Sequence, residues 1–227
     1  MNWSSFVDAL SRDVDWSDDD YVSRQASVVE EILASAARHP DLLRERTEQI
    51  AADDNLFDQL VPHMNYPRTL MDKFVIHLDP EDRFRVRLHR FWPRRATGDV
   101  IEDVHDHKWD MSTVILTGSY TENRFEVTEC DEERLTASVR LVETQTREAG
   151  TTSSLALRIP HQITNLSMDE PCLTLFVRGP SRLPDARIFD TDKGTFYNTF
   201  SPKPQIREGL LHMGRLNGVF HPVFAAR

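Results

Sequence analysis

The stretch Val104-His105-Asp106-His107-Lys108-Trp109-Asp110-Met111 runs on through Ser112-Thr113-Val114-Ile115-Leu116-Thr117 to Gly118, and its reading decides the fold. Two histidines stand two residues apart, just ahead of an apolar run that closes at a glycine. Read as a strand, residues i and i+2 share a face. His105 and His107 can then reach one point, where a metal ion would sit. A third histidine, His161, stands far along the chain in Pro160-His161-Gln162-Ile163-Thr164-Asn165.

Outward from this stretch the period is two. Phe74 to Leu78 reads as a strand and Asp79 to Asp82 as a turn. Arg83 to Trp92 then alternates, with Arg83, Arg85, Arg87 and His89 on one face and Phe84, Val86 and Leu88 on the other. Residues 104–117 are strand-like, as one strand or two. Further candidates cover 119–129, 136–147, 154–159 and 173–178, separated by polar or glycine-containing breaks. Such spacing points to an antiparallel sandwich or barrel.

Residues 1 to about 65 read as helical. Asp18 to Asp20 offer cap acceptors, and Val22, Ala26, Val29, Ile32, Leu33 and Ala36 form one apolar stripe that His39-Pro40 ends. A second helix from Asp41 to Ala52 would bury Leu42, Leu43 and Ile50. Asp53-Asp54 would cap a third, through Leu60. The expected organisation is a helical extension over 1–68, a β-domain over 69–182 and a segment over 183–227 that packs back. Phe189, Phe196, Tyr197, Phe200, Leu210, Leu211 and Phe220 supply its apolar side chains. The extension packs on the β-domain or, more weakly, supports a homodimer.

The 227 residues carry a net charge of −10, with 39% hydrophobic and 28% charged residues. An acidic surface argues against a nucleic-acid binder, which shows a basic footprint. No apolar run approaches a membrane span. The opening Met1-Asn2-Trp3-Ser4-Ser5-Phe6 has neither basic start nor apolar core, so no export signal is expected. Two cysteines, Cys130 and Cys172, make no disulfide framework, and a reducing cytoplasm is the expected location.

On these residues the chain resembles the cupin superfamily over about 70–180. Gly98, His105, His107 and Gly118 match the first motif, with a first gap one residue longer than usual. Pro160, His161 and Asn165 match the second, without the usual glycine before the histidine. The family's glutamate ligand would fall at position 111, where this chain has Met111. Three neutral imidazoles without a carboxylate resemble the thiol dioxygenase branch that includes cysteine dioxygenase. The serine-histidine-tyrosine series of those enzymes falls here on Thr174, Phe176 and Arg178, so that relay is not reproduced.

The resemblance implies an antiparallel cupin β-barrel (double-stranded β-helix) and a metal-dependent dioxygenase using Fe(II), O2 and a small anionic substrate, a thiol or another oxidisable group. His105, His107 and His161 would be the ligands. Three imidazoles alone suit Fe, Zn, Cu or Ni, and Mn stays open as well. Arg85, Arg87, Arg178, Tyr120 and Arg124 are candidate substrate contacts, because an oxyanion calls for a guanidinium fork. Each of these arginines can equally coat an outer sheet face and pair with acids. Met111 reads as a core side chain, with a thioether ligand as the minor alternative. Asp110 lies off the ligand face by parity, as a solvated acid, an outer partner of a ligand histidine or, across a bulge, a minor ligand. The alternatives are a metal-dependent isomerase, lyase or hydrolase, and a non-enzymatic small-molecule-binding cupin.

Overall fold

The computed structural model describes residues 1–65, 70–98, 102–199 and 211. Five helices come first: α1 (Trp3–Arg12), α2 (Tyr21–Arg24), α3 (Ala26–Ala37), α4 (Pro40–Ala52) and α5 (Asp54–Leu60). The strands are β1 (Met71–Leu78), β2 (Arg85–Phe91), β3 (Val104–His105), β4 (Met111–Thr117), β5 (Ser119–Asp131), β6 (Thr136–Glu148), β7 (Thr152–Leu155), β8 (His161–Thr164), β9 (Cys172–Arg178), β10 (Arg187–Asp190) and β11 (Thr195–Asn198). They form a five-stranded sheet, β1-β2-β9-β4-β7, and a second sheet, β10-β11-β6-β5-β8-β3, that closes on itself. Strand pairing is antiparallel throughout. The protein is thus mostly β, with N-terminal helices, the architecture expected of a cupin barrel.

The helices pack on the first sheet. Phe6, Leu10, Trp16, Val29 and Leu33 share one buried cluster with Val75, Phe84, Val86, Val114, Leu175 and Val177. Alternation does the rest. On β2 and β9 the apolar residues of one parity meet the helices, and Arg87, His89, Thr174 and Phe176 line a cavity on the opposite side. The polar face of β2 is therefore internal. Polar ties hold the layers in register: Arg46 Nε donates to Ile76 O at 2.9 Å, and Glu30 accepts from Thr152 and Ser154.

Several local expectations need correcting. Asp20 sits at the start of α2 but makes no side-chain cap, whereas Asp53 caps α5 by accepting from Leu56 N. Val22 is exposed rather than part of the stripe. Pro40 separates α3 from α4 and also opens α4, where its missing N–H costs nothing. β8, β10 and β11 are four-residue strands too short to stand out by periodicity. In the C-terminal segment Phe189 and Phe196 are buried, while Tyr197 and Leu211 are exposed. Phe200, Leu210, His212, Phe220 and His221 lie outside the described residues.

His77 offers a test of the helix–sheet layer. Its ring stacks on Phe84 and meets the edge of Trp3, and its Nε2 has no partner among the described residues. Burial and the charge of Arg46 lower its pKa to about 4. An unfolded chain takes up this proton below about pH 6.5 and the folded one does not, so stability falls as pH drops from 6.5 toward 4. His77→Phe is expected to flatten that loss by on the order of 1 kcal/mol, discounted for partial exposure. Urea midpoints at pH 7.5 and 5 compare the two proteins; equal losses in both would contradict the expectation.

Candidate metal centre

The two-residue histidine spacing works, but not as one continuous strand. β3 ends at His105, and Asp106 to Asp110 form a loop before β4. Two buried acids shape that loop. Asp106 accepts from Arg187 N and Nε, both at 2.7 Å, and from Arg158. Asp110 accepts from Leu157 N at 3.0 Å and lies 3.5 Å from Arg182. Asp110 is therefore buried rather than solvated and touches no histidine among the described residues; it anchors the far end of the loop that carries His107.

His105 pairs across the sheet with His161 on β8, and His161 in turn with Arg124 on β5. The ring centroids of His105, His107 and His161 lie 4.7 to 5.1 Å apart. One nitrogen from each can be chosen so that all lie within 4.8 Å of one another, the arrangement of a metal-holding group. His107 Nε2 and His161 Nε2 are 3.0 Å apart. Metal–nitrogen bonds of about 2.0–2.1 Å at angles between 90° and 110° put two ligand atoms about 2.9–3.4 Å apart, so this pair fits. Any excess distance lies with His105.

The tautomers are set from outside. His161 Nδ1 lies 3.0 Å from Glu122 Oε1, and His105 Nδ1 lies 2.9 Å from Asp103 O. A carboxylate and a carbonyl only accept, so both Nδ1 atoms donate and both Nε2 atoms keep a free lone pair. Burial would raise the Glu122 pKa, but the His161 hydrogen bond and the charges of Arg124 and Arg147 hold it at about 2. Arg147 Nε donates to Glu122 Oε2 at 2.8 Å and Arg124 Nε at 3.2 Å. Burial keeps His105 and His107 neutral by lowering their pKa. Neutral imidazoles are the form that binds metal.

Glu122, Arg147 and Glu102 were not singled out from sequence. Glu122 lies far from His161 in the chain, and only the β5–β8 pairing joins them. Glu102 lines the site, its Oε1 3.9 Å from His105 Nε2.

The cavity beside the histidines is lined by Met71, Arg87, His89, Trp109, Tyr120 and Phe176 among others. Of the anticipated substrate contacts, Arg87 and Tyr120 face this cavity. Met111 also borders it, packed with Leu155 and Phe176. Arg85 turns to Asp82 at 2.8 Å. Arg124 turns to Glu122, Ser153 Oγ and Ser154 O. Arg178 is buried against Trp109, its Nη1 donating to Gly179 O at 2.7 Å.

No family model matches the chain, and no curated protein matches it. Among solved structures, one of DMSP lyases is similar at 16% identity and a TM-score of 0.38, covering 56% of this chain and 62% of that one. The oxalate decarboxylase of Lactobacillus farciminis, as its formate complex, is similar at 15% and 0.38, covering 55% and 32%. A protein of unknown function with a cupin-like fold from Ralstonia eutropha is similar at 18% and 0.35, covering 57% and 64%. Each match spans less than two thirds of the other chain. Likenesses this weak say nothing of this chain's chemistry. Among the described residues no helix is long and apolar enough to cross a membrane.

Proposed function

We propose that His105, His107 and His161 hold one divalent metal ion, and that the protein is an enzyme acting with O2 on a small anionic molecule, with thiols as the first candidates. Ferrous iron is the proposed metal. The supporting observation is the Glu122–His161–His107 line, in which a buried carboxylate fixes one ring so that its Nε2 meets another at 3.0 Å. Such an outer carboxylate is the usual device for orienting a ligand histidine.

A bound ferrous ion would supply one-electron chemistry with dioxygen. The protein's own groups supply the rest. Three neutral imidazoles would bring no negative charge to the ion, and the Glu102 carboxylate, 3.9 Å from His105 Nε2, would offset its charge only in part, which favours an anionic substrate. Arg87, on the cavity wall without an acidic partner among the described residues, orients that anion. Trp109, Phe176 and Met111 exclude water from the histidine side.

A second reading is a metal-dependent isomerase, lyase or hydrolase with Zn, Mn, Ni or Cu. It is favoured by Thr174 and Phe176, which present no acid–base group where a relay would stand. Anaerobic loading with Fe(II), followed by spectroscopy and oxygen uptake as small thiols are added, separates the two. One equivalent of iron, a spectral change and oxygen uptake are expected. Stoichiometric zinc after purification, with no uptake on any thiol, would favour the second reading.

A further inference from the structure

Four of the five buried side-chain polar atoms without a partner among the described residues stand together: Arg87 Nε, Arg178 Nε, Trp109 Nε1 and His89 Nε2. Register explains the grouping. Across β2 and β9, Arg85 opposes Arg178, Arg87 opposes Phe176 and His89 opposes Thr174. The Arg178 guanidinium lies 4.9 Å from the Trp109 ring centre and that of Arg87 5.4 Å from it. The His89 ring lies 4.6 Å from Phe176. Three of the four atoms are obligate donors, and His89 Nε2 can be one.

The charges are also out of balance. Among the described residues, three guanidinium groups, those of Arg85, Arg87 and Arg178, share one carboxylate, Asp82, at 2.8 Å from Arg85 and 3.9 Å from Arg178. Three positive charges and one negative leave +2. Arg87 pairs with no acid among the described residues, and opposed like charges weaken a sheet. This occurs in a chain whose net charge is −10. Unpaired buried donors and cations are unfavourable without a ligand that accepts from them.

We propose that Arg87, Arg178 and the Trp109 N–H form a subsite for a doubly charged oxyanion, a phosphate or paired-carboxylate group, carried on the substrate. Burial supports its demand for charge: it pushes the pKa of Arg87 down to about 10 and of Arg178 to about 9. The Trp109 ring also stacks on His107, 5.5 Å away at 18°. One indole thus separates the oxyanion from the histidines, which selects a compact molecule with its reacting group at one end and its dianion at the other. This second half rests on the metal-centre reading; the anion subsite does not.

The test is calorimetric titration of the metal-free full chain at pH 8 and constant ionic strength with inorganic phosphate, malonate and acetate. Phosphate or malonate is expected to saturate one site at least tenfold more tightly than acetate; the stronger of the two tells the phosphate arm from the paired-carboxylate arm. Arg87→Met and Arg178→Met are each expected to weaken it tenfold or more while raising Tm, since each removes a poorly paired buried cation. Arg87→Lys, which keeps the charge without the fork, is expected to weaken it as well. Arg134→Met, at an exposed arginine paired with Asp131, is expected to bind as the unaltered protein does. Acetate as tight as the dianions, Arg87 and Arg178 variants that bind normally, or loss of binding in Arg134→Met would each overturn the subsite. If metal binding fails while arginine-dependent dianion binding persists, the metal reading falls and the subsite stands.

Discussion

Glu122→Ala is expected to weaken metal binding and folding together. The carboxylate is 2% exposed and accepts from His161, Arg147 and Arg124. Its loss frees the His161 ring to rotate and leaves Arg147 buried opposite nothing. Breaking a buried pair by removing one partner costs about 3–5 kcal/mol, and losing the outer partner of a ligand histidine costs about 10–100-fold in metal affinity. Glu122→Gln separates the two effects, because the amide oxygen can still accept from His161 Nδ1 while its NH2 opposes Arg147. Adding Arg147→Met to Glu122→Gln is expected to recover stability while metal binding stays as in Glu122→Gln, as in a double-mutant cycle. Cobalt titration and urea unfolding read the two quantities. Cobalt bound as tightly by Glu122→Ala as by the unaltered chain would show that the carboxylate serves folding only.

His161→Ala and His107→Ala are expected to reduce bound metal to background, a larger loss than the 10–100-fold set for an outer partner. These rings supply the two nitrogens 3.0 Å apart, so removing either breaks the pair that already stands at bonding separation. His107 borders the cavity, and among the described residues its ring stacks on Trp109 and hydrogen-bonds to His161 alone, so His107→Ala should keep the fold, with a Tm within a few degrees. His161→Ala also strands Glu122 with one partner fewer and is expected to melt lower than His107→Ala. Elemental analysis after equal exposure to cobalt, with melting curves alongside, checks both. Near-stoichiometric cobalt in either variant would mean that the ion, if one binds, is held elsewhere.

Most of the β-domain was legible because alternation marks it. Phe84, Val86 and Leu88 against Arg85, Arg87 and His89 announce a two-faced strand, and β5, β6 and β9 follow closely where they were anticipated. The four-residue strands β8, β10 and β11 were not legible, and β7 overlaps the anticipated 154–159 only at Ser154 and Leu155, since four residues hold two alternations at most. His161 falls outside every strand anticipated from the sequence for the same reason, yet it is the first residue of β8. Glu122 escaped notice because a glutamate in an alternating polar strand looks like any solvated acid. Its burial depends on β8 lying beside β5, a contact between segments 39 residues apart.

What the sequence determined by itself was chemistry and period: three imidazoles in two segments, strands of two-residue repeat, and amphipathic helices ahead of them. Residue type and spacing are local properties, so they survive without a fold. What only the tertiary structure decided was which side of each strand is inside. Parity places Arg87 and His89 together but does not tell water from cavity. The N-terminal helices make that choice by covering Phe84, Val86, Leu175 and Val177, because burying apolar surface is the larger free-energy gain. The arginine face is thereby turned inward, beside the histidines.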